Sequence, residues 1–153
     1  MEFHRMPGHL VRRLNQISTG LFMERMASAG LTLTPVQFAA LNALADRPGI
    51  DQATLAGMVA YDRATLGKVV DRLEERGALR RDVSPTDRRA RVLELTEAGH
   101  ALYQSALPHV QAIQPQILTG LNEEERARLI ELLEKVTMAG NDMSRAPLRP
   151  PED

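Results

Sequence analysis

Between Arg80 and Arg91 the chain places five arginines within twelve residues, in two groups separated by Ser84-Pro85-Thr86-Asp87. Guanidinium groups at this density suit anion recognition, because each presents a planar fork of N–H donors that matches a phosphate or carboxylate. Bringing Arg88, Arg89 and Arg91 to one tip costs self-repulsion that an anion would offset, and arginine fits a narrow, electronegative minor groove. Asp87 can pair with a neighbouring arginine and set its direction. The bland alternative is a solvated loop whose charges only keep the chain soluble, and the count of charges does not separate the two.

A second set of candidates precedes this turn, in "RATLGKVVDRLEER". At 100° per residue Leu66, Val69, Val70 and Leu73 fall on one side of a helix and Ala64, Thr65, Lys68 and Arg72 on the other. Thr65 and Lys68 can donate to base edges, Ala64 can touch a thymine methyl, and Arg63 lies at the flank where a phosphate would pass. Gly67 has no side chain to hold the helix off a groove wall. Asp71, Glu74 and Glu75 occupy the later turns, whereas the N-terminal residues of such a helix contact bases. Asp71 and Glu75 are therefore expected to point away from phosphate or to pair with Arg72 or Arg76. Without the arginine-rich turn, the same helix reads more readily as a solvated amphipathic one with ordinary caps.

Those residues must be positioned by the elements around them. Pro7 suits the first turn of a helix running to about Ala29, with Gly30 as its stop. Leu10, Leu14, Ile17 and Leu21 form its stripe, and Thr19, Met23 and Met26 share the other side with Arg12 and Gln16. Thr34 or Pro35 opens a second helix, closed by Pro48-Gly49. Asp51 caps a short third helix, and Asp62 caps the fourth, which Gly77 stops. "ALRRDV" and "ARVLELT" read as strands around the turn, although Val92 and Leu93 break strict alternation. Thr96 caps a helix through about Thr119, bent at Pro108 and Pro115. Asn122, with Glu125 three residues on, caps the last helix, whose apolar face is Leu129, Ile130, Leu132, Leu133 and Val136. Residues 140–153 are rich in proline and charge and are expected to be disordered.

This order of elements predicts a mainly α fold with a small β-hairpin wing (α+β). It is a winged helix-turn-helix within a single domain, residues 1–153. Residues 33–96 would form the DNA-binding lobe, and residues 6–30 and 97–139 dimerisation helices, because their apolar stripes exceed what the lobe can cover.

Composition removes several other classes. A chain of 153 residues fits one domain with its own core. No apolar run approaches the roughly 18 residues of a membrane span, and no signal peptide is evident, so a cytoplasmic protein with no membrane partner is expected. The absence of cysteine excludes disulfides, thiolate metal sites and thiol redox sensing. His4, His9, His100 and His109 contain no i, i+4 pair that would suggest a metal site. No phosphate loop, nucleophile elbow or zinc motif points to an enzyme, and Ser105 and His109 lie one helical turn apart without an orienting acid. A pI near 6.4 argues against a generic nucleic-acid binder, but the charge is segregated. Residues 76–91 carry six arginines against two aspartates, while residues 122–135 carry five glutamates against three cations. A protein-interaction module remains the alternative of a different class.

"DQATLAGMVAYDRATLGKVVDRLEERGALRRDVSPTDRRARVLELTEAG" resembles the DNA-binding core of the multiple antibiotic resistance regulator (MarR) family. The Leu-Ala of the third helix, "VVDRLEERGAL", Asp87-Arg88-Arg89 and "LELTEAG" carry the likeness. The resemblance implies a homodimer with interlaced terminal helices that binds pseudopalindromic double-stranded DNA, usually as a repressor and without a cofactor. It further implies that Arg89 enters the minor groove with Asp87 holding it in place.

"PGHLVRRLNQ" and "LTPVQFAALNAL" resemble the branch of that family that senses small aromatic acids such as hydroxybenzoate, hydroxycinnamate or hydroxynicotinate. By that likeness Arg12, the first arginine of its pair, holds the effector carboxylate. On the helical pattern itself, Arg12 shares a side with Thr19, Met23 and Met26, which could cover a ring while the guanidinium takes a carboxylate. Arg13 borders the core stripe and suits an interface salt bridge. His9, Ser18 and Phe38 are further pocket candidates, for each of which capping or packing is as good an account. A regulator of this family lacking an effector is the remaining alternative.

Overall fold

The computed structural model describes residues 2–151. Its helices are α1 (Pro7–Ser28), α2 (Pro35–Asp46), α3 (Gln52–Val59), α4 (Arg63–Glu75), α5 (Glu97–Ile117) and α6 (Glu123–Ala139). Strands β1 (Leu79–Val83) and β2 (Arg91–Leu95) form an antiparallel hairpin between α4 and α5. Short 3₁₀ turns at Glu2–Arg5 and Asn141–Met143 flank the set.

Each helix from α2 to α6 begins at a side chain that accepts a hydrogen bond from a backbone N–H three residues on. Thr34 accepts from Gln37, Asp51 from Thr54, Asp62 from Thr65, Thr96 from Gly99 and Asn122 from Glu125, at 2.7–3.3 Å. These bonds satisfy donors that the helix itself cannot. Gln37 and Glu125 return the bond to the cap backbone, closing two capping boxes. Helix α1 has no side-chain cap but starts on Pro7, whose missing N–H would have been an orphan in any case. Gly30 and Gly77 take the left-handed conformation that turns the chain away, with φ of 69° and 76°.

The core lies where α2, α3, α4, the hairpin and the C-terminal part of α1 meet. Leu41, Leu44, Leu55, Leu66, Val70, Leu73, Leu79 and Leu93 are fully buried there. At about 1.5–3 kcal/mol for each large aliphatic side chain, this cluster is the main source of the lobe's stability. Leu66, Val70 and Leu73 of the α4 stripe are in it, and Val69, the fourth, is buried beside them.

Leu79 pairs with Leu95 and Arg81 with Leu93 across the hairpin. Leu93 and Leu95 are buried while Val92 and Glu94 are half-buried, so β2 does alternate, and the break expected at Val92-Leu93 is absent. Val92 faces away from the core opposite Asp82, where an apolar side chain is tolerated half in water. A further rung joins the sheet. Ile50 bridges Leu93, with Gly49 N–H donating to Leu93 O at 2.9 Å and Leu93 N–H donating to Ile50 O at 2.8 Å. A single bridging residue has no period, so the sequence pattern did not contain it.

The start of α5 is pressed against the start of the wing. Thr96 N–H donates to Ala78 O, and its hydroxyl donates to Gly77 O. A Cβ on Gly99 would lie 1.8 Å from Ala78 O, so only glycine permits this approach.

Two expectations are corrected by the packing. Phe22 and Met26 are the buried residues of α1, whereas Leu10 and Ile17 are about half exposed. Met26 therefore does not share an outer face with Arg12. Only the C-terminal turns of α1 reach the lobe core, and a periodic pattern does not say which part of a long helix is covered. The second correction concerns the tail expected to be disordered. Among the described residues it is ordered: Asn141 and Leu148 exchange two hydrogen bonds, at 2.8 and 3.0 Å, and Arg149 N–H donates to Gly57 O at 2.8 Å.

Helix α6 buries no residue, and Ile130, Leu132, Val136 and Met138 are exposed on it. With Leu10, Val11 and Ile17 of α1, they leave an apolar surface uncovered within one chain. No helix is long and apolar enough to cross a membrane among the described residues.

Candidate nucleic-acid interface

Asp62 sets the start of α4 and so its direction. Its carboxylate accepts from the Thr65 N–H at 2.9 Å and from the Thr65 hydroxyl at 2.8 Å, and these two bonds hold its pKa below the usual carboxylate range. Asp51 does the same for α3 through Thr54. On the outer side of α4, Arg63, Ala64, Thr65, Lys68 and Arg72 are all exposed. The hydroxyl of Thr65 is engaged by Asp62 and is not a free donor. Gly67 is placed differently from expectation: it is half-buried, and a Cβ there would meet Gln52 Nε2 of α3 at 3.3 Å. Its small size serves the packing of α3 on α4 rather than a groove wall.

Asp71 and Glu74 of α4 are paired, and not with Arg72 or Arg76, while Glu75 is exposed. Arg81 of β1 donates to Asp71 at 2.5 Å and to Glu74 at 2.8 Å, while Arg76 donates to the backbone oxygen of Thr32. Arg80 bridges Asp82 and Glu94 across the hairpin. The hydrogen bonds that Arg81 donates to Asp71 and Arg80 donates to Asp82 hold both guanidiniums still more firmly in the charged form.

The arginines around the wing thus divide into two populations. Arg76, Arg80 and Arg81 are engaged inside the lobe. Arg88, Arg89 and Arg91, with Arg63, Lys68 and Arg72 on α4, are exposed, and their side chains have no hydrogen bond or ion pair among the described residues. These six unpaired cations lie on the wing and on the exposed side of α4.

The wing turn is built by backbone capping. Ser84 Oγ accepts from the N–H groups of Thr86 and Asp87, both at 3.3 Å, and Ser84 N–H donates to Ala90 O at 3.0 Å. Asp87 accepts from the Arg89 backbone N–H at 2.9 Å. The sequence suggested a pairing of Asp87 with a guanidinium. A backbone N–H two residues on is a nearer donor, so the carboxylate shapes the loop and leaves the arginine side chains free.

The ligand candidates are not gathered into one cavity within a single chain. Arg12 is exposed, donating to Gln16 at 2.9 Å, with His9 Nδ1 at 3.5 Å. Ser18 lines an apolar groove between α1, α5 and α6 with Val11, Leu14, Ile130 and Leu133. Met23 borders a separate open groove of about 820 Å³ with Met26, Leu33, Gln37 and Arg72. Phe38 packs between Phe22 and Tyr103, at ring-centroid distances of 6.3 and 5.8 Å, and Thr19 faces outward. Among the described residues no group of three or more metal-ligating side chains is close enough to hold an ion. His109 accepts instead from Arg25 Nε at 3.0 Å, tying α5 to α1.

A capped helix-turn-helix followed by a hairpin with unpaired arginines defines a winged helix-turn-helix regulator. The chain belongs to the MarR family, whose model matches residues 33–90. Members of this family are DNA-binding regulators rather than enzymes. Among curated proteins, the HTH-type transcriptional repressor NicR of Pseudomonas putida is 36% identical over 129 residues, covering 84% of this chain and 80% of that protein. Among solved structures, BpsR of Bordetella bronchiseptica superposes with a TM-score of 0.83 at 32% identity, covering 88% of this chain and 95% of the other. It was solved in a study of how 6-hydroxynicotinic acid regulates its DNA binding. The transcriptional repressor CouR, bound to a 23-mer DNA duplex, gives 0.80 at 30% identity, covering 89% and 95%.

Proposed function

We propose that the chain is a cytoplasmic, homodimeric transcriptional repressor of a catabolic or efflux operon. It reads a pseudopalindromic operator and is released by a small aromatic carboxylic acid of the hydroxybenzoate, hydroxycinnamate or hydroxynicotinate type. The observation that carries the DNA reading is the division of arginines, with Arg80 and Arg81 neutralised by carboxylates and those at the wing tip left without a partner among the described residues. In this reading Lys68 and Ala64 meet base edges, Thr65 does so once Asp62 yields its hydroxyl, Arg63 and Arg72 meet phosphate, and Arg89 enters the minor groove flanked by Arg88 and Arg91.

The dimer is supported by the uncovered apolar faces of α1 and α6, which a two-fold partner would bury. The effector reading is supported by an exposed Arg12 beside His9 on α1, and by the regulation of BpsR by 6-hydroxynicotinic acid. The candidates are dispersed within one chain, so in this reading the pocket is completed on dimerisation. A ligand favouring the lobe spacing that does not fit DNA by about 1–3 kcal/mol lowers affinity roughly 5- to 150-fold.

The test is binding to a duplex from upstream of the protein's own gene, read by fluorescence anisotropy from 50 to 200 mM salt with a panel of aromatic acids. With six to ten phosphates contacted, affinity falls by roughly 10³ to 10⁵ over that range. A flat salt response would overturn the DNA reading. Binding that no aromatic acid relieves would overturn the effector reading alone.

A further inference from the structure

The chain beyond α6 is folded into a compact arm that the winged-helix architecture does not require. Asn141 exchanges two hydrogen bonds with Leu148, Arg149 pairs with Asp142 at 2.9 Å, and Ser144 Oγ accepts from the Ala146 N–H. The arm is seated on α3. Arg149 N–H donates to Gly57 O at 2.8 Å, one of the last carbonyls of that helix, which otherwise accepts only the long bond from Ala60 at 3.3 Å. The seat is shaped for it: a Cβ on Gly57 would lie 2.9 Å from Arg149 Cβ and 3.0 Å from Arg149 O.

Seating the arm brings Arg145 into a cleft with Tyr61, Asp62 and Arg63, at the turn that leads into α4. Asp62 is already committed to the two donors of Thr65, and it attracts Arg145 only through space. Arg145 is exposed and its side chain has no hydrogen bond or ion pair among the described residues, whereas Arg149 is neutralised by Asp142. A recognition helix meets the duplex by its N-terminal end, and phosphates pass beside that end. A free guanidinium held at that level has the placement of a phosphate clamp.

We propose that residues 141–149 form an accessory DNA-contacting arm, in which Arg145 grips a backbone phosphate beside the start of α4. The proposal rests on the DNA-binding reading above and extends the interface to a segment outside the winged lobe. The contact is to phosphate and carries no base preference.

The test uses the full-length protein with two duplexes, one from upstream of its own gene and one of random sequence and equal length. Arg145→Ala is expected to weaken binding to both about threefold per arm, or about tenfold per dimer, and to make the salt slope shallower by about two. Gly57→Ala, which unseats the arm while leaving a good helix former in α3, should give the same loss, and adding Arg145→Ala to it should cost nothing more. Wild type that binds while Arg145→Ala keeps its affinity and slope overturns the arm and leaves the DNA reading standing. Fully additive losses in the double variant overturn the seated position of Arg145. Wild type that binds neither duplex overturns both readings.

Discussion

Asp87 holds the backbone N–H of Arg89 at 2.9 Å and leaves the Arg89 guanidinium without a partner among the described residues. The carboxylate fixes where the arginine starts, and the side chain is left for whatever meets the wing. Arg89→Ala should therefore weaken binding to every operator by about 1–3 kcal/mol, while Arg128→Ala, whose arginine pairs with Glu131 on α6, should change little. Asp87→Asn keeps an acceptor for the same N–H and should stay near wild type. A loss in Asp87→Asn as large as in Arg89→Ala would mean that the charge, and not the turn, is what Asp87 supplies.

The outer face of α4 makes a geometric prediction for the dimer. Two copies reading one face of B-DNA need half-site centres about 10 base pairs apart. Inserting five base pairs between half-sites turns one of them to the far side and should reduce binding to the random-sequence level. Retained affinity would mean that each lobe binds independently.

Among the described residues Arg12 is exposed and held only by Gln16 and His9, so removing it disturbs no core. Arg12→Ala should keep operator affinity and lose the response to the aromatic acid. A variant that is still released by the same acid at the same concentration places the carboxylate elsewhere.

Gly99 meets the Ala78 carbonyl more closely than any side chain allows. Gly99→Ala must push α5 off the wing and should cost roughly 1–3 kcal/mol, seen as a melting temperature lower by several degrees. An unchanged melt would mean that the two elements separate freely.

Asp51 and Asp62 both have pKa values lowered by their cap bonds. Their contribution to stability is complete above the ordinary aspartate value near 4 and is lost as pH falls through the lower folded values. The double variant Asp51→Asn/Asp62→Asn keeps both caps without a titrating group. Its melting temperature should fall less between pH 5 and pH 2 than that of wild type, and superimposable profiles would remove the caps as acid-sensitive groups.

What could be read in the sequence was local. Asp62 and Thr65, or Asn122 and Glu125, are three residues apart, and the bond between them follows from types and spacing alone. The buried stripe of α4 and its exposed opposite side followed from helical period. The relations that were missed join residues whose proximity only the folded chain creates. Arg81 reaches Asp71 and Glu74 on a neighbouring element, Ile50 bridges Leu93, and Arg149 finds Gly57. The ligand candidates stayed scattered for a related reason: Arg12, Ser18 and Met23 lie at different levels and angles of one long helix, and within one chain they face different spaces.

The double grip of Arg81 on α4 reaches beyond charge balance. With Thr96 and Gly99 locking α5 to the same corner, the wing and the recognition helix form one stiff reading head that can turn or slide but hardly reshape. Under the proposed effector release, a signal from the dimer layer would have one variable to act on, the separation of two such heads, which must match a helical repeat of about 34 Å. DNA is too stiff over so short a span to follow them cheaply. In that proposal small displacements at the base of the heads would become all-or-none at their tips, and rigidity, more than flexibility, would make the switch sharp.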